Sequence, residues 1–174
     1  IVGNIGNPVI DTVDLTNKNS VLVTELSSFQ LESIDEFRPR VSAFLNITED
    51  HMNRHHTMEN YINAKARIFE NQKEEDFTIL NYDDTQVRAL AEKCKSKVIF
   101  FSRKEKLNNG IYLDEDNNII IDIDGKIILL NANELSLPGE HNLENCMAAI
   151  GITYVSNIDL EVIKDVLKTF KAVE

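Results

Sequence analysis

The stretch V-S-A-F-L-N-I-T-E-D-H-M-N-R, residues 41–54, decides how this chain folds. Residues 41–47 form an apolar run of strand length. Pro39, just upstream, suits the beginning of a strand and excludes a helix there. Asn46, Thr48, Glu49, Asp50 and His51 then supply polar groups where the strand gives way to a helix. That succession is the repeating unit of an open α/β sheet, whose ligands bind at the carboxyl ends of its strands.

The same grammar extends both ways. Upstream, S-V-L-V-T-E at 20–25 reads as a buried strand leading into E-L-S-S-F-Q-L-E at 25–32. Downstream, Met58, Tyr61, Ile62, Lys65, Ile68 and Phe69 recur at helical spacing and predict a helix over 57–70. Thr57 and Asn60 are suited to cap it. A strand over 78–81, a helix over 83–93 and a strand over 98–101 follow. The alternation implies a parallel sheet with right-handed crossovers. Between 110 and 130 the pattern changes to short strand-like runs punctuated by Asp116-Asn117-Asn118 and by Asp124-Gly125, a hairpin signal. These runs predict a small antiparallel flap. Pro138-Gly139 precedes a helix over 142–154, and 159–170 reads as a last amphipathic helix. The expected fold class is therefore α/β, a mostly parallel sheet flanked by helices with a small antiparallel β flap.

A chain of 174 residues suffices for one domain with a real core. Its net charge of −11 argues against nucleic acid as a partner, because phosphate backbones reward a clustered basic surface. No apolar run is long enough to span a bilayer and no signal peptide is visible, so no membrane partner is expected. Cys94 and Cys146 are far apart and form no Cys-x-x-Cys pair, which fits a reducing cytoplasm better than a disulfide framework.

Several residues carry chemistry, each beside a plainer reading. Glu25 is a solvated charge or, at a strand's carboxyl end, a metal ligand. His51 is a structural hydrogen-bonder or a ligand to a divalent ion or its water, although imidazole is not a usual Mg²⁺ ligand. His55 and His56 read as surface residues at the start of a helix, since His-Glu-x-x-His is absent. Lys65 is a snorkelling lysine or a partly buried amine open to modification. Asn142 is a plausible N-cap; alternatively its amide and that of Asn145 face a nucleotide. No Gly-x-x-x-x-Gly-Lys-[Ser/Thr] phosphate loop occurs in these residues.

Taken together, G-N-I-G-N-P at 3–8, E-L-S-S-F-Q-L-E at 25–32, L-N-I-T-E-D-H-M-N-R at 45–54, Y-I-N-A-K-A-R-I-F at 61–69 and L-P-G-E-H-N-L-E-N at 137–145 resemble the central domain of the Mur ligases of bacterial peptidoglycan synthesis. The order and spacing run through nearly the whole chain, and E-L-S-S-F-Q-L-E resembles the branch that adds D-glutamate. The resemblance implies that 1–174 is the central, ATP-binding domain of a three-domain enzyme. Its phosphate loop would lie before Ile1 and its C-terminal domain after Glu174, so the chain alone is expected to be inactive.

By the same resemblance, Glu25 would bind one Mg²⁺ bridging ATP phosphates, and His51 a second. Lys65 would be carbamylated by CO₂ and support that second metal. Asn142 and Asn145 would contact ATP. Asn4, Ser27 and Gln30 would touch the substrate, UDP-N-acetylmuramoyl-L-alanine, whose partner substrate is D-glutamate. Asn53 stands where the family usually has Asp and Ala172 where it usually has Gly. A monomer in the bacterial cytoplasm is expected.

The implied chemistry is acyl activation. The substrate carboxylate attacks the γ-phosphate of ATP to give an acyl phosphate and ADP, and the D-glutamate amine then attacks the carbonyl. Two anions meet in the first step, so metal ions and a lysine have to neutralise charge. The alternatives are another Mur or folylpolyglutamate-type ligase, or a non-catalytic module that binds divalent ions.

Overall fold

The computed structural model describes residues 1–171, so Ala172 lies outside the described residues. In chain order the elements are β1 (Val2–Gly3), α1 (Val9–Thr12), β2 (Thr24–Glu25), α2 (Ser28–Leu31), β3 (Val41–Phe44), α3 (Met52–His55), α4 (Met58–Ala66), β4 (Phe77–Asn81), α5 (Thr85–Ala89), β5 (Lys97–Ser102), β6 (Gly110–Leu113), β7 (Asn118–Asp122), β8 (Lys126–Asn131), α6 (Glu140–Val155) and α7 (Leu160–Thr169). They gather into two compact units. The first comprises Ile1–Phe37 and Glu49–Ile68; the second comprises Arg38–Thr48 and the residues from Phe69 on.

In the second unit, six strands form one sheet in the order β3-β4-β5-β6-β7-β8. The pairs β3–β4, β4–β5 and β5–β6 are parallel, and β6–β7 and β7–β8 antiparallel. The small antiparallel part expected over 110–130 is β6–β8, and it extends the main sheet. The reason is apolar: Ile111, Ile119, Ile121 and Leu130 bury into the same core as Ile79, Ile99 and Phe101, beneath Met147 and Ile150 of α6. A Cβ built on Gly151 would lie 3.0 Å from an Ile79 methyl and 3.2 Å from one of Ile111, so α6 rides close against the sheet at that turn. Helix α7 packs on α6 and β8 through Ile163 and Leu167.

A buried polar network braces β3 and β4. The Gln72 carbonyl accepts from the hydroxyls of Ser42 (3.2 Å), Thr78 (2.6 Å) and Ser96 (3.0 Å). Its amide donates to the carbonyls of Pro39 (3.0 Å) and Phe77 (2.9 Å). Every polar atom of that side chain is used, as buried amides require.

The first unit carries a short parallel ladder, in which β1 and β2 pair Val2 with Thr24 and Gly3 with Glu25. The strand expected over 20–25 is thus cut to its last two residues. Residues 20–23 lie outside the ladder, and Val21 (85% exposed) and Val23 (62%) face water instead of being buried. The helix expected over 57–70 is α4, capped by the Thr57 hydroxyl accepting from the Asn60 amide, with a 3₁₀ turn over Arg67–Phe69. The helix expected over 83–93 is α5 with a 3₁₀ turn over Leu90–Lys93, capped by the Asp84 carboxylate. Among the described residues, no helix is long and apolar enough to cross a membrane.

Candidate functional site

The first unit brings most of the candidate residues together, and the G-N-I-G-N-P turn shows how. Gly3 sits at φ 111°, and a Cβ there would lie 2.1 Å from the Glu25 carbonyl oxygen. Only glycine permits that approach. The Asn4 amide donates to the same carbonyl (2.8 Å), and the Gly3 amide donates to Asn7 (2.9 Å). Asn4 is thereby tied to the end of β2, where the Glu25 carboxylate is exposed.

Immediately beyond, Ser27 and Gln30 form a reciprocal capping box for α2. The Gln30 amide donates to the Ser27 hydroxyl (3.3 Å), and the Gln30 carbonyl accepts from the Ser27 backbone N–H (2.9 Å). The Ser27-x-x-Gln30 spacing is the signal of this box. The polar groups proposed for substrate contact are thus held in place by each other.

His51 caps α3 in the left-handed region, φ 53° and ψ 33°. A non-glycine residue there costs on the order of 1 kcal/mol or more, and such strain gathers at functional sites. Asp50 stabilises the turn, accepting from the His51 amide (2.7 Å) and lying 3.3 Å from its Nε2. The ring remains 44% exposed. It meets Phe29 (centroids 4.9 Å) on one side and the edge of Tyr61 (6.4 Å) on the other. One helical turn beyond Tyr61, the Lys65 Nζ lies 5.4 Å from the Tyr61 ring centroid, a cation–π distance. His51 and Lys65 are therefore joined through one buried tyrosine.

His55 corrects the expectation of a surface residue. It is 4% exposed, its Nε2 is 3.0 Å from the Ser28 hydroxyl, and its ring stacks on Phe29 at 5.8 Å and 10°. Helix α3 is a single turn between two left-handed residues, His51 and His56, and this geometry drives His55 inward while His56 stays exposed. The Arg54 guanidinium, hydrogen-bonded to Glu32 at 2.7 Å, holds the Glu32 carboxyl below the usual carboxylate range.

Among the described residues, no three His, Cys, Asp or Glu side chains converge into a preformed metal cage. Glu25 and His51 instead offer single, exposed ligands on separate turns. The Glu25 carboxylate is an oxygen donor of the kind Mg²⁺ takes beside waters and substrate phosphates, whereas the His51 imidazole is a less usual partner for that ion.

Asn142 and Asn145 lie in the second unit, on the first turns of α6. Asn142 is not the N-cap. Gly139, at φ 102°, starts the helix earlier, and the Asn142 amide reaches back to the Pro138 carbonyl (2.7 Å). Arg103, at the carboxyl end of β5, fixes this helix start by bonding Glu140 (2.6 Å) and Glu144 (2.9 Å). Its own amide donates to Asp83 (3.0 Å), which also accepts from the Ser102 hydroxyl. The asparagines thus sit at the carboxyl edge of the parallel strands, where α/β ligands bind.

These features define an α/β domain, with candidate polar side chains in each of its two units. Residues 4–153 match the model of the Mur ligase middle domain, and the chain belongs to that family. Along its whole length it is 72% identical to UDP-N-acetylmuramoylalanine--D-glutamate ligase of Clostridioides difficile. It is 48% identical to the protein of the same name from Thermoanaerobacter sp.. The chain spans 38% of the length of these relatives. In fold it resembles a solved UDP-N-acetylmuramoyl-L-alanyl-D-glutamate--2,6-diaminopimelate ligase, with TM-score 0.66 and 23% identity, over 87% of this chain and 33% of that one. It also resembles MurF from Acinetobacter baumannii, with TM-score 0.61 and 19% identity, over 79% and 30%.

Proposed function

We propose that this chain is the middle part of an enzyme that joins D-glutamate to UDP-N-acetylmuramoyl-L-alanine, with ATP converted to ADP and phosphate through an acyl phosphate. The observation that carries this reading is the 72% identity, over every residue of the chain, to a relative bearing that ligase's name. The reaction belongs to peptidoglycan precursor synthesis in the bacterial cytoplasm, with the protein acting as a monomer.

In this reading Glu25 would hold one Mg²⁺ and His51 a second. The ions supply charge neutralisation where carboxylate and triphosphate meet. Asp50 keeps the His51 imidazole oriented. Lys65, carbamylated by CO₂, would become an anion able to support that second ion. That change would give up the contact between its cation and the Tyr61 ring. Asn142 and Asn145 hold ATP. Asn4, Ser27 and Gln30 position the muramoyl substrate beside Glu25, and the capping box keeps the latter two in register.

The test is phosphate release by the full-length protein with ATP, Mg²⁺ and the uridine-linked substrate, and with D-glutamate, L-lysine or meso-diaminopimelate as acceptor. Release with D-glutamate alone supports the reading. Release with another acceptor alone assigns a different ligase.

A further inference from the structure

The buried imidazole of His55 has no part in the chemistry above, yet it touches both segments that do. Its Nε2 lies 3.0 Å from the hydroxyl of Ser28, the residue between Ser27 and Phe29. Its Nδ1 lies 3.6 Å from Glu32 Oε1, and its ring packs on Phe29 at 5.8 Å and on Tyr61 at 5.2 Å. Arg54 and Arg67 act on the same Glu32 carboxylate. A carboxylate beside Nδ1 favours the proton on that nitrogen, leaving Nε2 to accept from the Ser28 hydroxyl.

The Ser28, His55 and Glu32 set has the composition of a hydrolase triad, but a nucleophile must reach its substrate. Ser28 is 2% exposed and so out of a substrate's reach. The bond therefore holds structure. It crosses from α2, whose cap carries Ser27 and Gln30, to α3, whose cap is His51. Both helices are one turn long and neither is stable alone.

We infer that His55 is a positioning residue, tethering the Ser27–Gln30 turn to the His51 turn so that the substrate and metal contacts proposed there keep a common register. This rests on the proposed reaction for its kinetic consequence but not for the tether itself. Losing a buried partner leaves Ser28 unsatisfied, an effect worth roughly tenfold in an equilibrium constant.

The experiment uses the full-length protein and its His55→Leu, His55→Gln and Ser28→Ala variants. The tether predicts that His55→Leu and Ser28→Ala each raise KM for the uridine-linked substrate about tenfold and that kcat changes less. The double variant should be no worse than His55→Leu alone, since both break one bond. His55→Gln, which keeps a polar atom toward Ser28, should recover much of the loss. The ring nitrogen resonances of His55 should shift in Ser28→Ala. A lowered melting temperature with unchanged KM would overturn the positioning role. Unchanged ring nitrogen shifts in Ser28→Ala would overturn the tether whatever the activity. Absence of turnover by the parent protein would count against the proposed reaction and leave those shifts as the test of the tether.

Discussion

Replacing Gly3 by alanine strikes the point where two candidate segments meet. The new Cβ would fall 2.1 Å from the Glu25 carbonyl oxygen, far inside contact distance, and that oxygen is backbone, which cannot rotate away. The residue also stands at φ 111°, outside the range alanine tolerates. Holding it there costs about 1–3 kcal/mol, and separating β1 from β2 gives up the Asn4-to-Glu25 bond, about 1 kcal/mol more. The sum, about 2–4 kcal/mol, corresponds to amide exchange at Asn4 faster by roughly 30- to 1,000-fold. Displacing Glu25 should also raise the Mg²⁺ concentration for half-maximal phosphate release. Gly125 supplies the control: it has φ 118° but nothing within 4 Å of a built Cβ, so Gly125→Ala should show the torsional cost without the Mg²⁺ effect. Unchanged Asn4 exchange and an unchanged Mg²⁺ response in Gly3→Ala would refute the reasoning.

Four other outcomes are expected. Glu25→Ala in the full-length protein should raise the Mg²⁺ requirement and cost about 10²–10³ in rate; a Mg²⁺ titration checks it. Lys65→Ala should abolish most activity and be partly rescued by short carboxylates, and robust activity without rescue would remove the carbamate role. Gln72→Leu strands the Pro39 and Phe77 carbonyls while Ser42, Thr78 and Ser96 still bond one another, so urea unfolding should show a loss of about 2–5 kcal/mol. For Asp76, burial pushes the carboxyl up, but the hydrogen bonds from Arg38 and the Lys73 amide outweigh it and hold the carboxyl below its usual range. A depressed carboxyl stabilises the fold above its unfolded pKa, and the gain is lost as pH falls through the folded value. Asp76→Asn should therefore flatten the acid limb of stability against pH.

Much of the fold was legible because apolar period and turn chemistry agree locally. The runs at 78–81 and 98–101, the Thr57 cap and the Asp124-Gly125 hairpin all appear as read. What was not legible depends on neighbours. Val21 and Val23 have the side chains of a buried strand, but burial needs a ladder, and here the ladder begins only at Thr24. The antiparallel character of 110–130 was legible from its turns, while its continuity with the main sheet rests on the parallel pairing of β5 with β6. In the site, Glu25 and His51 stood out because polar residues at strand ends invite a chemical reading. His55 did not, since its burial follows from two left-handed residues that sequence does not announce. The Ser27-x-x-Gln30 box was in plain view as a spacing, and it explains how that turn keeps its shape.

The most direct measurement is mass-spectrometric detection of product from the full-length protein, given ATP, Mg²⁺ and UDP-N-acetylmuramoyl-L-alanine with either D- or L-glutamate. The account predicts one new amide-linked product, formed with the D isomer and matched by ADP. ADP without a coupled product, or coupling of L-glutamate in preference to D, would contradict it.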